Sequence, residues 1–213
     1  MSDIDKKEKG FVGKDLTALV LNILLIVLFS LGLIQTLLDM HYLAYEYYTQ
    51  LSNYFGFIAT IIYTCFFINK KKIPKWVSIL KYSATLSMTV TFLVVAFILT
   101  PMLGFKEIFI WIFFSGSNLF YHTLCPIIMF ISFVFYEKHD IKGFRDNLRA
   151  MYFTMIYAII FITLNILKIY DGPYPFLKVY EQPVYMSIIW FILIVGGAFG
   201  IGKGIMWMKS KQK

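Results

Sequence analysis

Residues 16–38 read LTALVLNILLIVLFSLGLIQTLL, an unbroken apolar run without one charged side chain. A helix rises 1.5 Å per residue, so about 20 residues cross a hydrocarbon layer of roughly 30 Å. Backbone inside lipid has to satisfy its own hydrogen bonds, and a run of this length does so as a transmembrane helix. It is too long for a signal-peptide core and lacks a small-residue cleavage site, so the reading is a retained first span.

The same pattern recurs along the chain. Further spans are expected at residues 47–68, 76–100, 117–136, 150–169 and 183–206. They follow a tail at residues 1–15 and end in a basic tail at residues 207–213. The composition agrees: 59% of the 213 residues are hydrophobic, 15% are charged and the mean hydropathy is +0.71. A soluble domain carries about a quarter charged residues. The predicted fold is all-α, a polytopic membrane protein of six transmembrane helices. Residues 105–114 exceed what one span needs, and Ser115-Gly116-Ser117-Asn118 interrupts the run, so a short interfacial or re-entrant segment is expected before the fourth span.

Charge sets the orientation. With the N-terminus inside, 17 of the 20 Lys and Arg residues fall on the cytoplasmic side, and only Lys106, Lys168 and Lys178 fall opposite. Basic loops stay cytoplasmic, so both termini are expected there, in the cell membrane. Five spans would leave a basic tail on the wrong side. The net charge of +8 lies between the apolar runs, as contact with anionic lipid heads requires, and argues against nucleic acid as partner. Lys81, near the cytoplasmic end of the third span, is expected to snorkel. Cys65 and Cys125 lie in apolar runs and read as free thiols. Gly196, Gly200 and Gly204 recur on one face of the last helix and are expected to admit a neighbouring backbone.

No Asp or Glu lies well inside a predicted span, which speaks against a proton pump, and His41 and His139 fall in loops on opposite sides, which speaks against a metal cluster. His122 is the one imidazole at membrane depth. It reads either as polar glue between helices or as a general base. Thr49, at the start of the second span, matches its depth to about one helical turn. Each has a polar companion on its own face, Asn53 four residues after Thr49 and Asn118 four residues before His122. Two such stripes suggest a shared wet pocket. Ser52 and Thr123 are weaker candidates, and Cys125 reads as core.

Three motifs occur in order: Tyr48-Thr49-Gln50-Leu51-Ser52-Asn53, Tyr121-His122-Thr123-Leu124-Cys125-Pro126 and Tyr174-Pro175-Phe176-Leu177. Together they resemble the androgen-induced-gene and androgen-dependent TFPI-regulating membrane protein family and its bacterial relatives. The resemblance implies a multipass hydrolase of fatty-acid esters of hydroxy fatty acids, with Thr49 at the nucleophile position and His122 at the base position, and with no cofactor or metal. Asn53, Asn118 and Tyr121, with backbone amides near Ser117, are candidates for holding substrate or its oxyanion. The expected function is intramembrane hydrolysis of fatty-acyl esters. A non-catalytic lipid-binding or transport bundle, or an acyltransferase using the same acyl-enzyme, are the alternatives.

Overall fold

The computed structural model describes residues 13–69 and 71–212. Most of the expected N-terminal tail, and the lysines at 6, 7, 9, 70 and 213, lie outside the described residues. Helix α1 spans Lys14–Met40 and α2 spans Tyr48–Ile68. The third, α3, runs over Lys75–Leu103, and α4 over Phe105–Phe114. Next come α5 over Gly116–Tyr136, α6 over Gly143–Ala150 and α7 over Tyr152–Ile166, then a 3-10 turn at Pro175–Leu177 and α8 over Val184–Ser210. No strand occurs among the described residues. Five helices are long and apolar enough to cross a membrane, and six if α6 and α7, bent by 43° at their junction, count as one span.

Helix α1 shows how the chain sorts its faces. Ala18, Asn22, Leu25, Phe29, Gly32 and Thr36 are buried at helical spacing, while Val20, Ile23, Val27, Leu31 and Ile34 are exposed. Both faces are apolar, as a lipid-facing helix requires, so periodicity alone does not separate them. Helix α3 stands at the centre, against α2, α5, α6, α7 and α8. Residues 81–88 of α3 are buried on every side. Its small hydroxyls suit that position, because Thr85 donates to the Lys81 carbonyl at 2.9 Å and Ser87 to that of Ala84 at 3.0 Å, so neither needs an outside partner.

Two helix ends differ from expectation. Pro101 was expected to stop the third span, yet α3 continues to Leu103 through a π-wound stretch at Val95–Leu99. Proline lacks the amide donor and crowds the preceding turn, and a wider turn relieves that crowding while Thr100 bonds back to Val95. The same device precedes Pro126, where Leu119–Leu124 is π-wound. The fifth span likewise begins earlier than residue 150. Gly143–Ala150 is helical, with Asp146 accepting from the Lys142 amide and paired with Lys75 at 3.1 Å and Arg149 at 3.2 Å.

Lys81 does not snorkel. It is fully buried, donating to Asn22 and Thr60 at 2.8 Å each and lying 3.6 Å from the Glu137 carboxylate. Glu137 is also sealed in, accepting from Asn22 at 2.9 Å, Ser132 at 2.7 Å and the His139 ring at 2.6 Å. Lys209 of α8 donates to the carbonyls of Phe133 and Glu137, and Lys138 pairs with Asp15 at 2.7 Å. The start of α1 and the end of α8 therefore meet at one end of the bundle. Gly196, Gly200 and Gly204 have no neighbour within 4 Å of an added Cβ, so the expected backbone approach is not made within the chain. The close approach is at Gly202, where Asn147 sits against the backbone and Tyr82 donates to the carbonyl at 2.7 Å.

Candidate active site

Thr49 and His122 lie at the bundle end opposite the termini. Thr49 occupies the first turn of α2, whose entry is fixed by three phenols. Tyr54 donates to the Leu43 carbonyl at 2.8 Å, Tyr157 donates to that of Glu46 at 2.7 Å, and Tyr48 bonds Thr154 of α7 at 2.7 Å. His122 lies in the π-wound turn of α5. Helices α2 and α5 are in direct contact through Asn53, whose amide donates to the Thr49 carbonyl at 2.8 Å and to the Tyr121 carbonyl at 3.1 Å. One side chain thus joins the backbone of Thr49 to the residue preceding His122. Thr49 and His122 retain 7% and 8% exposure, whereas Ser52 and Asn53 retain none.

The imidazole has a fixed tautomer. Its Nδ1 lies 2.6 Å from the Ile112 carbonyl of α4. A carbonyl only accepts, so Nδ1 carries the hydrogen and Nε2 is left as the basic nitrogen. This makes α4 the element that orients the ring.

Thr49 lines a cavity of about 660 Å³ bounded by α2, α3, α7, the Pro175–Leu177 turn and α8. Its lining is mainly apolar and reaches Ile159, Val184 and Ile188, which are exposed on the outer surface, so the cavity opens sideways between α7 and α8. Polar groups gather near Thr49: Thr91, Thr154 and Tyr174. His122 is not in this lining.

The expected substrate-holding residues are placed otherwise. Asn53 has both amide hydrogens engaged in the clamp. Asn118 turns to the Trp111 carbonyl at 3.3 Å, because the π-wound turn breaks the four-residue stacking that would have set it beside His122. Tyr121 packs against Gly32 of α1 and meets the Tyr54 ring edge-on at 6.1 Å. The Ser117 amide donates to Asp39 at 3.1 Å, so that helix start already holds an anion. Ser52 bonds Thr91 at 2.9 Å and the Thr49 carbonyl at 3.0 Å, and Thr123 bonds the Phe113 carbonyl at 2.8 Å. Two further residues meet the pair, Ile112, which the sequence did not single out, and Tyr174, which opens the third motif without a role of its own. The first acts through its backbone and leaves no side-chain signal; the second is aromatic in a chain where 19% of residues are.

Among the described residues no three of His, Cys, Asp and Glu converge as a metal site. Compared with protein-family models, curated proteins and solved structures, the chain matches none.

Proposed function

We propose that the chain is a six-span membrane protein with both termini cytoplasmic, and that it hydrolyses fatty-acyl esters with Thr49 as nucleophile and His122 as general base. The charge asymmetry and the meeting of the start of α1 with the end of α8 support the topology. The observation that carries the chemistry is the Asn53 clamp, which ties the backbone of Thr49, a residue lining a laterally open apolar cavity, to a helix turn bearing a tautomer-fixed imidazole. The motif resemblance points the same way.

In this mechanism an acyl chain enters from lipid between α7 and α8, and its ester carbonyl meets Thr49. The Thr49 hydroxyl proton passes to His122 Nε2 as the Oγ–carbon bond forms, and His122 returns the proton to the leaving alcohol as the ester bond breaks. A water deprotonated by the same nitrogen then releases the fatty acid and restores Thr49. Among the described residues it is the Ile112 carbonyl, not a carboxylate, that orients the ring.

The test compares wild type with Thr49→Ala and His122→Ala, purified in detergent, on fluorogenic acyl esters and with a fluorophosphonate probe. The expected result is turnover and labelling of wild type, with both lost in each variant. Wild type that neither turns over nor labels, or variants that match it, removes the hydrolase reading. A second reading has its own support: the cavity is apolar and His122 is absent from its wall, as in a non-catalytic lipid-binding bundle. Lipid that co-purifies with wild type while no probe labels would favour it.

A further inference from the structure

Tyr174 is separated from Thr49 by 125 residues, yet its hydroxyl accepts from the Thr49 backbone amide at 3.4 Å. The Tyr48 amide and the Thr49 side chain also face this oxygen. These amides belong to the first turn of α2, where backbone donors have no partner inside the helix and the helix dipole favours negative charge. A bond of 3.4 Å is long for an amide donor, which leaves room for a stronger acceptor.

The phenol is held firmly. Tyr174 is 8% exposed, its ring stacks on Phe176 at 5.2 Å and meets the Tyr47 ring edge-on at 6.3 Å. The loop that carries it is pinned by Asn165, which donates to the Asp171 carbonyl and accepts from the Val179 amide. Burial raises its pKa to about 12, so the hydroxyl keeps its hydrogen across the working pH range. Because it accepts from the amide, that hydrogen is available for donation into the cavity, whose wall Tyr174 shares with Thr49.

We propose that Tyr174 is a catalytic residue, its hydroxyl donating to the carbonyl oxygen of the bound ester beside the Thr49 amide. The assignment rests on the hydrolase reading above. When the Thr49 oxygen bonds to the carbonyl carbon, the carbonyl electron pair moves to oxygen. Tyr174 O–H and Thr49 N–H then hold the resulting oxyanion, until the pair returns and the alcohol leaves with the proton from His122. Neither donor gives up its hydrogen.

The experiment measures full-length wild type and Tyr174→Phe on an acyl ester and on its thionoester, in which sulfur replaces the carbonyl oxygen and accepts hydrogen bonds poorly. Loss of one oxyanion donor is expected to lower kcat roughly 100-fold or more with KM little changed. The oxo-over-thiono preference is expected to shrink about tenfold in the variant, a change that a merely structural tyrosine would not cause. If Tyr174→Phe does not stay folded, 3-fluorotyrosine at 174 keeps the shape and strengthens the donor, and kcat is expected to rise. Unchanged kcat and preference in the phenylalanine variant, or unchanged kcat in the fluorinated protein, overturns the assignment. Where Thr49 and His122 are required and Tyr174 is not, this assignment alone fails; where wild type is inert, the hydrolase reading fails with it.

Discussion

Asn53 and Gly56 set the register between α2 and its neighbours one side chain at a time. Removing the Asn53 amide breaks both of its bonds, and while Ser52 still donates to the Thr49 carbonyl, the link from α2 to the Tyr121 carbonyl is lost, at a cost of about 1–3 kcal/mol in all. Asn53→Leu is therefore expected to lower the melting temperature in detergent and to reduce ester turnover further than the loss of folded protein explains. Comparing activity per folded molecule with wild type checks this, and equal specific activity would reduce Asn53 to a packing residue. At Gly56 an added Cβ would meet the Met88 sulfur at 2.5 Å and the Phe29 ring at 3.0 Å. Thr49 and His122 were legible as polar groups in apolar runs, since lipid makes such groups costly unless they are used. Their partners were not, because a backbone carbonyl has no sequence signature and Tyr174 lies 125 residues from the amide it meets.

The junction between α4 and α5 turns on Gly116. Its φ of +51° lies in the left-handed region, and an added Cβ would stand 2.5 Å from the Asp39 carboxylate that caps the Ser117 amide. Glycine alone meets both demands. Gly116→Val is expected to shift Ile112 relative to His122, and so to cost activity as well as several degrees of thermal stability. Asp39→Asn, which keeps an acceptor but removes the charge, should cost no more than about 1 kcal/mol. A melt and a turnover assay on each variant separate the two effects. The break at residues 115–118 was readable from its small polar residues, whereas the π-wound turns before Pro101 and Pro126 were not, and the second of them rotates every later side chain in α5.

Across the whole molecule the end bearing the termini is held by a sealed charge cluster. Burial alone would raise the Glu137 carboxyl, but the Lys81 ammonium and the bonds from His139 and Asn22 hold it well below the usual carboxylate range. Burial lowers His139 to about 4, against the opposing pull of Glu137. Both groups bind protons less readily folded than unfolded, so the His139 contribution is complete above about pH 6.5 and lost as pH falls toward 4, whereas that of Glu137 is lost only below about pH 4.5. The melting temperature is expected to drop roughly 5 °C or more from pH 7 to pH 4.5, with most of the drop absent in His139→Gln. A pH-independent melt in wild type would contradict the arrangement. Breaking the pair on one side, Lys81→Met or Glu137→Gln, should destabilise by about 3–5 kcal/mol, and the double variant by clearly less than the sum. For the proposed topology, a cysteine placed at Lys178 should react with an impermeant maleimide on intact cells, and one at Lys71 only after permeabilisation.

Which stretches are long and apolar enough to cross a membrane, five or six of them, and the places where polar residues sit at membrane depth were determined by the sequence itself, because hydrocarbon imposes its length and polarity rules on each segment separately. Which face of each helix turns inward was decided only in three dimensions. In lipid both faces are apolar, so no segment carries a mark of its own inner side. For the same reason Lys81 and Glu137, each acceptable near a membrane boundary alone, became a buried pair only once α3 was enclosed by its neighbours.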